Sequence, residues 1–114
     1  MTARTQMSQL QIPRRFCGPP RSANGGYCCG LIAEQLPGPV EVTLRAPPPL
    51  DTPLTWMPDA HGGGRLLQGE QLIAEAVPAR VDEPIPSPVD LAQAALAERA
   101  YIGHREHPYP TCFV

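Results

Sequence analysis

The sequence contains no lysine; its nine cationic side chains are all arginine, scattered from Arg4 to Arg105. Nucleic-acid binding needs a concentrated basic stripe, and none is visible, so no nucleic-acid partner is expected. Also missing is an uninterrupted apolar run of about 18 residues, the least that a membrane-spanning helix requires. The opening stretch from Met1 to Gln11 is polar and lacks the apolar core of a signal peptide. These absences predict no membrane partner and a cytoplasmic location. Cysteines are few: Cys17, Cys28, Cys29 and Cys112. Without an export signal they are not expected to form a disulfide framework. On a helix, Cys28 and Cys29 would point about 100° apart, a poor arrangement for chelating one ion. Combining them with His61, His104 or His107 does not improve the ligand spacing. Neither a metal nor a cofactor is expected, and small buried apolar cysteine is the default reading.

Proline, by contrast, is plentiful. Sixteen prolines exclude a helix bundle, because each removes a backbone donor and belongs in a loop, a first helical turn or a strand end. Hydrophobic residues make up 42% of the chain, which excludes a disordered one. With 114 residues the chain has the size of one ordinary domain with one core. An α+β fold, a small sheet with one or two helices, fits both constraints.

Leu10 to Phe16 reads as a first strand, closed by the turn Gly18-Pro19-Pro20. Ser22 or Asn24 can cap a helix over Tyr27 to Leu36, whose body is apolar until Glu34 and which Pro37-Gly38-Pro39 stops. A short helix that is apolar nearly all round must be wrapped by other elements. Val40 to Ala46 alternates strictly, with Val40, Val42, Leu44 and Ala46 facing a core and Glu41, Thr43 and Arg45 facing outward. Further strands are predicted over Leu54 to Pro58, Arg65 to Gln68 and Gln71 to Val81. The turns between them are mostly short enough for an antiparallel meander, whose last strand would leave an open edge. Ser87-Pro88-Val89-Asp90 predicts a second helix, with Ser87 as cap, running to about Tyr101. Its stripe of Val89, Ala92, Leu96 and Ala100 suits a peripheral position. The expected divisions are a flexible N-terminus over 1–9, a domain over 10–86, the peripheral helix over 87–101 and an irregular tail over 102–114. That tail ends on an apolar Cys112-Phe113-Val114, an unusual finish for a free terminus.

A strand, a buried helix and then an antiparallel meander fits several α+β folds, among them the hotdog fold, in which a curved antiparallel sheet encloses a central helix; the motif at the helix start narrows the choice. Asn24-Gly25-Gly26-Tyr27, followed by an apolar helix body, resembles the helix start of acyl-CoA thioesterase-like hotdog proteins. The string from Phe16-Cys17-Gly18-Pro19-Pro20 through Gly30 is also similar to bacterial proteins that carry two hotdog halves in one chain. In those, a segment like Pro110-Thr111-Cys112-Phe113-Val114 lies near the join between the halves. The resemblance implies an acyl-thioester hydrolase-like domain, or a non-catalytic half used for acyl binding or dimer packing. It implies an acyl-CoA or acyl-carrier thioester as ligand, and a homodimer or a second half as partner.

The physics of a helix start fits the implied role. The first N–H groups lack intrahelical partners and lie at the positive end of the helix dipole. Glycine lets a thioester carbonyl approach them, and an oxyanion forming there would be stabilised. By resemblance, Gly25 or Gly26 takes this role and Asn24 orients the carbonyl or a water. Tyr27 and Trp56 are the candidate substrate contacts, although Trp56 beside Met57 reads by default as a core residue and otherwise as part of an acyl pocket. The same glycines also suit a plain tight cap. Many such thioesterases carry an acid eight residues after the first glycine, and here that position is Ala33. Glu34 follows, rotated about 100° round the helix. It serves as the acid if the register shifts by one, and is otherwise a solvated acid at the helix end. Asp59 and Glu75 are further candidates. His61-Gly62-Gly63-Gly64 reads as a hairpin turn, since no Gly-x-Ser-x-Gly elbow accompanies it.

Overall fold

The structure is a computed structural model that describes residues 6–114. It is α+β, with one five-stranded antiparallel sheet and two helices. The strands are β1 (Ser8–Leu10), β2 (Val40–Leu44), β3 (Leu54–Pro58), β4 (Gly64–Gln68) and β5 (Gln71–Pro78). The helices are α1 (Gly25–Ala33) and α2 (Leu91–Arg99). Of the segment 1–9 expected to be flexible, residues 1–5 lie outside the described residues, and Ser8 already pairs with Trp56 in β1. The first strand is therefore earlier and shorter than predicted. Pro13 cannot donate to a ladder, and the chain after it forms a 3-10 turn at Arg14–Phe16 instead.

The sheet order is β1-β3-β4-β5-β2. β3, β4 and β5 form the expected meander, joined by the glycine turn after Asp59 and by Gly69-Glu70, where Gly69 adopts a φ of 59°. β2 departs from the meander. It pairs with β5 at the far side of the sheet, Val42 opposite Ala76, and not with its neighbour in sequence, β3. The open edges are therefore β1 and β2, and the last strand, β5, lies inside the sheet. The triplet Pro47-Pro48-Pro49 explains the crossing. It cannot continue a ladder, so the chain leaves the sheet and passes beneath the loop before α1, where Pro48 accepts the Ala23 amide at 2.8 Å.

One sheet face carries Leu54, Trp56, Leu66, Ala74 and Ala76, all buried, and α1 packs onto it through buried Cys28 and Ile32. Ile12, Ala23 and Leu50 close the core from the connecting loops. Ile73 is the extra residue of a bulge between β4 and β5, and its side chain also turns into the core. Val40, Val42 and Ala46 pack against the core as predicted, while Leu44 is 39% exposed because it sits at the rim of an edge strand. Arg45 pairs with Glu75 on the surface.

α1 is packed on one side only. Gly26, Gly30 and Glu34 are exposed on the other side, so the helix is not wrapped all round. The open side carries two glycines and a charged residue, which leaves little apolar area in need of cover. α2 starts at Leu91, three residues later than the position that Ser87 would set. Asp90 is its cap: its side chain accepts the Gln93 amide at 2.7 Å, and the Gln93 side chain accepts the Asp90 amide at 3.2 Å. Every residue from Arg80 to Ile102 is exposed, so α2 touches no part of the core. Among the described residues no helix is long and apolar enough to cross a membrane.

Candidate functional site

Asn24 caps α1, and its Oδ1 accepts the Tyr27 amide at 2.9 Å. The Asn24 carbonyl accepts the Cys28 amide at 3.1 Å. That Cys28 bond is the first of the helix's own ladder; of the four orphan donors, Tyr27 is satisfied by the cap and the Asn24 amide donates to the Phe16 carbonyl at 2.9 Å. Among the described residues nothing accepts from the amides of Gly25 and Gly26. The cap also fixes which way the Asn24 amide points: with Oδ1 bound to Tyr27, Nδ2 faces the Cys112 sulfur, 3.3 Å away. A Cβ on Gly25 would come within 3.0 Å of Leu44, and one on Gly26 within 3.3 Å of Asn24 Oδ1. The glycines therefore keep the first turn close to β2 and to its own cap.

A cleft of about 540 Å³ opens at this helix start. One wall is Gly18, Pro19 and Pro20; the other is Pro108, Tyr109, Pro110, Thr111 and Cys112; Asn24 and Gly25 lie between them. The second wall comes from the tail. Phe113 N donates to Cys17 O at 3.0 Å, the Cys17 thiol to Thr111 O at 3.0 Å, and the Thr111 hydroxyl to Gly18 O at 2.8 Å. Behind this wall Phe16 and Tyr27 stack with ring centres 4.0 Å apart, and the Phe113 ring meets both edge-on at 5.3 and 6.0 Å.

The residues singled out from sequence have separate fates. Asn24 and Gly25 line the cleft, and Gly26 is beside it on the first turn. The Tyr27 ring is half-buried in the aromatic cluster and does not line the cleft. Trp56 is fully buried under the sheet, with its ring against Gly64, so it belongs to the core. Among the described residues its Nε1 has no partner. Glu34 is exposed at the C-cap of α1, ten residues and about 15 Å of helix from Asn24. Asp59 accepts the His61 and Gly63 amides, and these bonds hold its carboxyl below the usual range. Glu75 faces Arg45 on the far side of the sheet. Among the described residues no carboxylate or imidazole lines the cleft.

Cys28 sits beneath the first turn, and burial pushes its thiol up to about 11, with a smaller contribution from neighbouring Cys29. Burial also raises Cys29, against the lowering effect of a backbone hydrogen bond. Proximity to a helix N-terminus therefore does not make thiolates of this pair. All four cysteines are free, and the described residues contain no group of three or more metal-ligating side chains.

Sequence reasoning missed the two proline walls and Cys112. Their one signal was the apolar Cys112-Phe113-Val114 after an irregular segment, together with Phe16-Cys17 in a loop: apolar residues in two irregular segments need a common cover. No family model, curated protein or solved structure matches this chain.

Proposed function

We propose that the chain is an acyl-thioester-binding domain of the hotdog type, related to thioester hydrolases. The strand order β1-β3-β4-β5-β2, with one helix between the two edge strands and packed on the sheet, supports the hotdog assignment. The cleft at the helix start carries the functional reading. It offers two unused amides, Gly25 and Gly26, beside walls made largely of proline, aromatic and sulfur groups. A thioester has matching parts: a carbonyl oxygen that accepts hydrogen bonds at the helix start, and apolar arms that lie along the walls. The ligand is an acyl-CoA or an acyl group on a carrier protein.

Hydrolysis needs a base to activate water, and among the described residues the cleft lining contains neither carboxylate nor imidazole. That observation favours the second reading, a hotdog half that binds acyl groups without turning them over unless another chain or half supplies the acid. We propose a second copy, or a second half, as that partner, joined at the open sheet edges.

The test is equilibrium binding of an acyl-CoA series from acetyl to palmitoyl, run beside a thiol-release assay on the same compounds. Binding without thiol release is expected from the chain alone. Asn24→Ala, which removes the cap and the contact with Cys112, should weaken binding about tenfold, the order expected for a lost hydrogen bond to a buried polar group. An absence of binding across the series would sink the proposal. Thiol release by the chain alone would restore the hydrolase reading, and loss of that release in Glu34→Ala would make Glu34 its acid.

A further inference from the structure

The tail is joined to the core by an unusual route. After Ala79 leaves β5, every residue through Ile102 is exposed, α2 included, and the chain regains contact only at its end. There, Thr111, Cys112 and Phe113 make four hydrogen bonds to Cys17, Gly18 and Asn24, and one ring enters the Phe16–Tyr27 cluster. A segment anchored at one end only, on a long exposed tether, docks or undocks as a unit, because nothing between tether and anchor holds it half-way. The same segment supplies one entire wall of the cleft.

We propose that residues 108–114 are a closing strap: docked, they complete the cleft at the start of α1, and released, they leave Asn24 and Gly25 on an open surface. Phe113 is the latch, since its ring and its backbone amide reach two different partners. A ligand lying between the two walls binds the docked state alone. It must then stabilise docking by the same factor that docking contributes to its affinity. This second half rests on the thioester-binding reading; the docking equilibrium does not.

Hydrogen exchange followed by mass spectrometry on the full chain tests both parts. Without ligand, amides of 108–114 should exchange about tenfold slower than in the free peptide of the same sequence, the scale of a weakly docked local unit. Phe113→Ala should abolish that protection and speed exchange at 16–27, leaving 54–78 unchanged. If Phe113→Ala disturbs 54–78 as well, Thr111→Val decides: a selective gain in exchange at 16–18 and 108–114 supports the strap, and no change there overturns it. An unprotected tail in the unaltered protein, or identical tail exchange with and without Phe113, also overturns it. With octanoyl-CoA as probe, tail exchange should slow further as its concentration rises, and Phe113→Ala, by emptying the docked state, should weaken binding about tenfold or more. Binding with unchanged tail exchange would remove the strap from the ligand site. A failure of the probe to bind would count against the thioester reading, while the ligand-free exchange would still judge the strap.

Discussion

Cys28 is fully buried against the sheet, with its thiol held near 11, against an ordinary value of 9.0. Its folded value lies above its unfolded one, so its contribution to stability is complete below pH 9 and is lost as pH rises toward 11. We expect urea midpoints measured from pH 8 to 10.5 to fall, by the equivalent of about 1–2 kcal/mol from this group. Cys28→Ala should flatten that part of the slope, although its baseline stability is lower. A parallel decline in both proteins would assign the effect to other groups. Gly64 makes a different demand. A Cβ there would meet the Trp56 ring at 2.5 Å and the Met57 carbonyl at 2.7 Å, and neither can move without disturbing a buried strand pair. Gly64→Ala should therefore cost about 1–3 kcal/mol, the range of overpacked cores, read as a lower urea midpoint at unchanged slope.

Among the elements, α1 and α2 have comparable caps and opposite surroundings. Asn24 holds α1 where Cys28 and Ile32 pack on the sheet, so cap and packing reinforce each other. α2 has a complete capping box at Asp90 and Gln93 and no buried residue. A nine-residue helix without packing is marginal in water, since nucleation is unfavourable and short isolated helices fray. Asp90→Ala should therefore reduce far-ultraviolet helicity without shifting the cooperative unfolding of the sheet. Leu96, 63% exposed, should likewise tolerate Leu96→Ala within about 0.5 kcal/mol in the isolated chain. A larger loss of stability would mean that this helix is covered in solution.

At the scale of the whole molecule, exposed apolar side chains concentrate outside the core. Val81, Ile85, Val89, Leu91 and Leu96 are all exposed along the tether and α2. The radius of gyration is 17.0 Å, while a compact domain of this size has about 13 Å. β1 and β2 add two edges with unpaired backbone groups. The proposed pairing with a second copy would use these features. Sedimentation at micromolar concentration should show a dimer, with an interface above the roughly 1,000 Å² that separates biological contacts from packing. A soluble monomer at all accessible concentrations would exclude self-pairing.

The sequence by itself determined the α+β class, a first helix capped by Ser22 or Asn24, and four of the five strands within a few residues. These depend on local chemistry: an amide that caps, prolines that stop pairing, and a two-residue alternation that holds from Val40 to Val42 before it lapses at half-buried Thr43 and exposed Leu44. It also marked Asn24, Gly25 and Gly26 as the start of a helix. The tertiary structure alone decided where β2 goes, because pairing partners depend on which edge a proline-bearing connection can reach. It also decided between the two readings of Trp56, in favour of the core over a pocket. The choice of Asp90 over Ser87 as cap was equally out of reach, since both satisfy the same local rule. The second wall of the cleft was least legible of all. Phe113 and Phe16 are far apart in sequence, and no periodicity links two apolar side chains that meet only when the chain closes on itself.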